Sequence, residues 1–149
     1  MSGNALRNKS GFALVIALMI LLLVTLIGIS SISATVFQTN ISGNERVGTG
    51  AFYAAEAGIQ VGFNQLPDTS PIARAKIGEE SYYWSGGQRD RETPKSLGSL
   101  GLHQKPGYDT AWAFKRYQVN AAGECFGGIR EIEVQVSVGP YASGTQYNN

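Results

Sequence analysis

Between Lys9 and Glu45 the chain carries no charged side chain. Within that stretch the apolar run Phe12–Ile29 reaches the length, about 18 residues or more, at which a membrane-spanning helix is the default reading. The reason is geometric: about 20 residues rising 1.5 Å each cover a hydrocarbon core of ~30 Å. Helical character persists beyond that run through Val36, Phe37, Ile41, Val47, Ala51, Ala54, Ala55, Ile59 and Phe63, until Pro67 stops it. A helix unbroken over residues 12–66 is roughly 80 Å long. Its second half is amphipathic. Phe52, Ala55, Ile59, Phe63 and Leu66 recur at three- and four-residue steps, which predicts one face covering a sheet, with Glu45, Arg46, Asn64 and Gln65 on the other.

The flank before the run is short, hydrophilic and basic through Arg7 and Lys9, so the positive-inside rule leaves Met1 in the cytoplasm and sends the chain beyond Ile29 across the membrane. A secretory signal peptide has its small-residue cleavage site after the apolar region; here the candidate site, Gly11-Phe12, lies before it. The segment Lys9-Ser10-Gly11-Phe12 with its apolar continuation resembles the class III signal of type IV pilins and type II secretion pseudopilins. The later stretch Ile41-Ser42-Gly43-Asn44-Glu45-Arg46, followed by Ala51-Phe52-Tyr53-Ala54-Ala55-Glu56-Ala57-Gly58, resembles more narrowly the amino-terminal domain of PilX-type minor pilins, with its Gly-Asn pair and Ala-Ala-Glu-Ala block. The resemblance covers about residues 6–66.

That resemblance implies a life history. A prepilin peptidase cuts between Gly11 and Phe12 and methylates the new Phe12 amine, and the net charge of +1 loses Arg7 and Lys9. The implied organisation is a leader at 1–11, a long helix at 12–66 whose residues 12–32 serve as transmembrane segment and filament core, and a small β-rich domain at 67–149. The implied fold class is α+β and pilin-like: a long N-terminal α-helix packed on a small antiparallel β-sheet. The implied partners are the prepilin peptidase, inner-membrane lipid, the inner-membrane pilus assembly platform, and major and other minor pilins through helix packing. The chain would wait as a single-pass inner-membrane protein with a cytoplasmic N-terminus, then enter an extracellular pilus fibre. Apolar surface covered by lipid can instead be covered by neighbouring helices, so the transfer exposes none of it to water.

One departure from the family pattern is informative. Major pilins have a glutamate as the fifth mature residue, and that position here is Ile16. A carboxylate in apolar surroundings is costly unless paired, and its implied partner is the terminal amine of the preceding subunit. With Ile16 no charge is stranded when no neighbour exists, which suits an initiating or tip-proximal subunit; a divergent subunit anywhere along the fibre is the other reading.

The remaining residues suffice for one small domain. Glycine is 19 of 149 residues, well above the usual ~7%, so turns are many and long elements few. Cys125 is the only cysteine; one thiol closes no loop, so the domain is held by packing, and Cys125 reads as a small buried apolar residue rather than an intermolecular bridge. Residues 67–78, with two prolines, read as a loop with at most a helical turn at 72–77. Residues 79–84 read as a strand and 88–108 as a long exposed connection. Residues 111–122 and 129–138 read as a closing hairpin across Gly-Glu-Cys-Phe-Gly-Gly, with Ile132, Val134, Val136 and Val138 inward. The tail after Pro140 has no periodicity and is expected to fray.

No cofactor, catalytic or metal constellation emerges. His103 reads as a solvated loop residue. Glu79 with Glu80, or Asp109, lack the spacing of a calcium loop, and no nucleophile lies beside a base. The loop from Gln88 to Lys105 mixes Arg89, Arg91 and Lys95 with Asp90 and Glu92, a solvated surface and not a nucleic-acid stripe. Tyr82, Tyr83 and Trp84 read as strand core rather than an adhesive patch. Glu56, among small neighbours, either meets an adjacent subunit or is solvated. Gly28, Ser30, Ser31 and Ser33 are poor helix formers that would let the helix unwind locally in a fibre. The expected function is that of a non-enzymatic minor pilin supporting pilus biogenesis and adhesion. The alternatives are a minor pseudopilin of a type II secretion system, or an uncleaved single-pass membrane protein with a periplasmic binding domain.

Overall fold

The structure, a computed structural model, describes residues 7–144. Helix α1 runs over Arg7–Gln65. Leu, Ile, Val and Ala dominate its first half, and no proline interrupts it before Pro67. Gly28, Ser30, Ser31 and Ser33 lie inside it without a break. Its exit is closed by side chains: Ser70 donates to Asp68 through its amide and hydroxyl (2.9 and 2.8 Å), and Gln65 Nε2 donates to Ser70 O (2.9 Å). The hydrogen bonds from Ser70 hold the Asp68 carboxyl below the usual carboxylate range. The chain divides into two compact units, Met1–Asn44 and Glu45–Asn149.

The second unit is the C-terminal part of α1 with five antiparallel strands: β1 (Ala75–Lys76), β2 (Ser81–Ser85), β3 (Gly98–His103), β4 (Trp112–Cys125) and β5 (Gly128–Ala142). The fold class is thus α+β, a long apolar N-terminal helix with a small antiparallel sheet. Strand β4 is central. Strand β5 pairs along its whole length on one side, Trp112 opposite Ala142 through Cys125 opposite Gly128. On β4's other side β3 pairs with Phe114–Gln118 and β2 with Ala121–Cys125, and β1 flanks β2. The β4–β5 turn is tighter than the six-residue connection expected. Phe126 and Gly127 alone form it, at φ 45° and 80°, the paired positive φ that a two-residue type I′ hairpin demands.

Helix and sheet meet through small residues. Ala51, Ala54, Ala55, Gly58, Ile59 and Gly62 are buried, facing Val119, Ala121 and Gly123 of β4. A Cβ at Gly123 would collide with the backbone of Ala51, Ala54 and Ala55, and one at Gly62 would lie 2.6 Å from Val119 Cγ1. Around that seam Ile59, Ile72, Leu97, Val119 and Ala121 form the core, with Phe63, Leu66, Tyr83, Ile132 and Val134 packed on it. Each fully buried side chain of this kind contributes about 1.5–3 kcal/mol. The opposite face of the sheet is covered by the segment between β2 and β3. There Trp84, opposite Ala122, is fully buried with its Nε1 donating to Gly87 O (2.9 Å); on the helix side Ser85, opposite Ala121, is buried, donates to Lys95 O (2.5 Å) and accepts from Ile72 N (2.8 Å).

Several expectations are corrected. Phe52 is exposed, not on the sheet-covering face, because the seam takes alanine and glycine where bulk would hold the helix off. Residues 75–76 are strand, where a helical turn was the most expected, since β2 offers them a ladder. The connection 88–108 contains a 3-10 turn (Gln88–Asp90) and strand β3, with Leu97 buried, so it is not wholly exposed loop. His103 ends β3, half-buried opposite Phe114, with Nε2 3.2 Å from Ser137 Oγ. Strand β5 continues through Pro140 to Ala142, so the expected fraying does not begin there; residues 145–149 lie outside the described residues.

Candidate functional site: an uncovered apolar helix

In the first unit every residue from Gly11 to Asn44 is exposed. None of the most apolar window of α1 is buried, and the exposed side chains include Phe12, Leu14, Ile16, Leu18, Leu22 and Ile27. Burial of apolar area from water is the main driving force of folding, so such a surface requires lipid or other protein against it. Four hydroxyls within this stretch are satisfied by the helix itself: Thr25, Ser33, Thr35 and Thr39 each donate to the carbonyl four residues back, at 2.7–3.0 Å. No side-chain donor of these four is left to pay for desolvation, which makes the segment compatible with hydrocarbon.

Of the expected processing residues, Gly11 and Phe12 both lie in α1, Phe12 68% exposed and Gly11 with open space where a Cβ would be. Residues 1–6 of the leader lie outside the described residues. Ile16 is on the same exposed helix. Glu56 is exposed on α1, on the side away from the buried Ala54, Ala55 and Gly58. Gly11, Phe12 and Ile16 are therefore near one another along one helix, and Glu56 belongs to the other unit.

The ionisable groups of the second unit are mainly structural ties. Buried Glu124 is held by Arg74 (2.9 Å) and Arg91 (3.2 Å), and Arg74 lies over the Tyr82 ring at 3.7 Å. Sequence reasoning missed Glu124, whose only signal was a carboxylate within a buried strand. Asp90 accepts from Gly87 N (2.8 Å) and pairs with Lys95 (3.1 Å). The Gly87 amide first, then Lys95, hold its carboxyl below the usual range. Cys125 is free and buried, with Ser81 Oγ 3.4 Å from its sulfur. Trp84 is core, and Tyr82 and Tyr83 are half-buried in β2. Glu79 and Glu80 are exposed, and Asp109 receives the Thr110 amide (2.6 Å). No group of three or more His, Cys, Asp or Glu suited to a metal ion occurs among the described residues.

Residues 10–60 match the protein family described as PilX N-terminal. No curated protein and no solved structure matches the chain.

Proposed function

We propose that this chain, whose residues 10–60 match the PilX N-terminal family, is a PilX-type pilin and a minor subunit of a type IV pilus, placed at or near the initiating end of the fibre. The observation that carries the reading is the exposed apolar half of α1, which in a membrane is covered by lipid and in a fibre by the helices of sister subunits. Cleavage falls between Gly11 and Phe12, and the Phe12 amine is methylated by the prepilin peptidase. Leader 1–11, helix 12–66 and β-rich domain 67–149 then have the separate tasks of address, anchor and display. Ile16 supports the initiating position, since an apolar side chain there strands no charge when no subunit precedes it. The protein waits in the inner membrane with its N-terminus in the cytoplasm, meets the assembly platform, and enters the extracellular fibre beside major and minor pilins, where the sheet unit supports adhesion. Its work is structural and not enzymatic.

Mass analysis of the mature N-terminus tests the reading: N-methyl-phenylalanine at Phe12 is expected, and a retained Met1 overturns it in favour of an uncleaved single-pass protein. Deleting the gene and counting fibres with and without retraction tests the initiating role. Loss of fibres that returns when retraction is disabled is expected; unchanged fibres, with a defect in protein secretion, favour a type II secretion pseudopilin.

A further inference from the structure

Strand β5 is the longest strand of the sheet and lies at its edge: among the described residues its only strand neighbour is β4. Backbone hydrogen bonds outside the helix and the ladders involve none of residues 129–138. Long edges of this kind are normally blunted by lysine, proline, a bulge or a covering segment, since their free amides and carbonyls accept another strand. From Ile129 to Val138 β5 has no lysine and no proline, its one cation Arg130 lies against Gly48 of α1, its remaining charges are Glu131 and Glu133, and its register with β4 is unshifted from Lys115 to Cys125.

The two faces of this edge differ in chemistry. Cross-strand partners share a face, so Ile132, Val134 and Val136, opposite Ala121, Val119 and Tyr117, lie on the helix side of the sheet. They are only half-buried, Ile132 and Val134 packing against the core, and β5 has no strand beyond it among the described residues. On the other face stand Glu131, Glu133 and Gln135, opposite Ala122, Asn120 and Gln118. Glu131 accepts the Gln88 amide, and no cation pairs with Glu131 or Glu133 among the described residues.

We infer that the β5 edge is a strand-addition site for an extended segment of another protein whose residues alternate between apolar and basic. The apolar set extends the Ile132–Val134–Val136 row and the basic set meets Glu131 and Glu133, while backbone ladder bonds supply the affinity. A second copy of β5 fits poorly. Antiparallel self-pairing about Val134 gathers Glu131 and Glu133 of both copies on one face with no cation between them. The site does not depend on fibre assembly, so peptide binding to it is measured independently of the tests of that reading.

The full chain in detergent micelles is titrated with fluorescent peptides and followed by anisotropy. The peptides are an alternating Lys/Val sequence, its Glu/Val counterpart, a Lys/Val block sequence of the same composition, and the alternating Lys/Val peptide N-methylated at every second residue. The alternating Lys/Val peptide is expected to bind about tenfold more tightly than the Glu/Val one. The block and N-methylated peptides are expected to lose binding, and Glu133→Lys to narrow or reverse the charge preference while the near-ultraviolet signal of buried Trp84 stays unchanged. Hydrogen exchange on the wild-type chain should slow at alternate β5 amides when the alternating peptide is added. Equal binding of the block peptide, no binding of any peptide, or dimerisation of the chain through β5 that excludes the peptide each overturns the inference.

Discussion

The two halves of α1 are one helix built on opposite packing rules. From Phe12 to Ile41 most side chains are large and apolar and none is buried, whereas from Ala51 to Gly62 the residues that are buried are mostly alanine and glycine. Size is used where the eventual neighbour is absent from the chain, and smallness where the neighbour is the chain's own sheet. A helix pressed onto a sheet gains from close backbone approach, so β4 supplies Gly123 beneath Ala51, Ala54 and Ala55, and α1 supplies Gly58 and Gly62 above Ala121 and Val119.

The sharpest way to break this contrast is Gly123→Val. Its Cβ has no room against the α1 backbone, so the second unit should lose about 3–5 kcal/mol, read as a fall in the thermal midpoint of the full chain in detergent. The converse change, Leu22→Arg, should leave that midpoint in place while costing about 3 kcal/mol in membrane insertion, read by a glycosylation-site or protease-protection assay. A matched pair of truncations refines the comparison. Val119→Ala should destabilise the second unit by about 2 kcal/mol, and Val24→Ala should move it by less than about 0.5 kcal/mol in the same unfolding measurement.

Acid should act on the second unit locally. The Asp90 carboxyl is depressed when folded, so its stabilising contribution is fully present above its ordinary value near 3.8. That contribution fades as pH falls through the lower folded value. Hydrogen exchange at Gly87 should therefore quicken below about pH 4, and Asp90→Asn should remove that pH dependence. The smallest effect is expected at Glu56. Glu56→Gln should leave stability within about 0.5 kcal/mol, so any loss of fibre incorporation by that variant would assign Glu56 to a contact between subunits.

The large features were legible because each follows from one strong signal. An uncharged apolar run predicts the first half of α1, Pro67 predicts its end, and the alternation of Ile132, Val134 and Val136 predicts β5. The sheet-facing side of α1 is as expected at Ala55, Ile59, Phe63 and Leu66 and fails at Phe52, because periodicity in large residues overlooks the four-residue steps Gly50, Ala54, Gly58 and Gly62, which carry the closest approach. Strand β3 was hidden because Gly-Ser-Leu-Gly-Leu-His is short, has two glycines and a register shift between Ser99 and Gly101, and its Leu100 and Leu102 are exposed rather than core. Ser85 gave no signal, since a buried serine that ties Ile72 to Lys95 looks in sequence like the end of a strand.

The four hydroxyls that turn back onto their own helix have a mechanical consequence. Hydroxyls answered in this way offer no hook to whatever surrounds them, so withdrawing the helix from one apolar environment and seating it in another breaks no hydrogen bond of those four side chains. What resists the move at those positions is shape and contact area, and these can be renewed step by step as the rod slides.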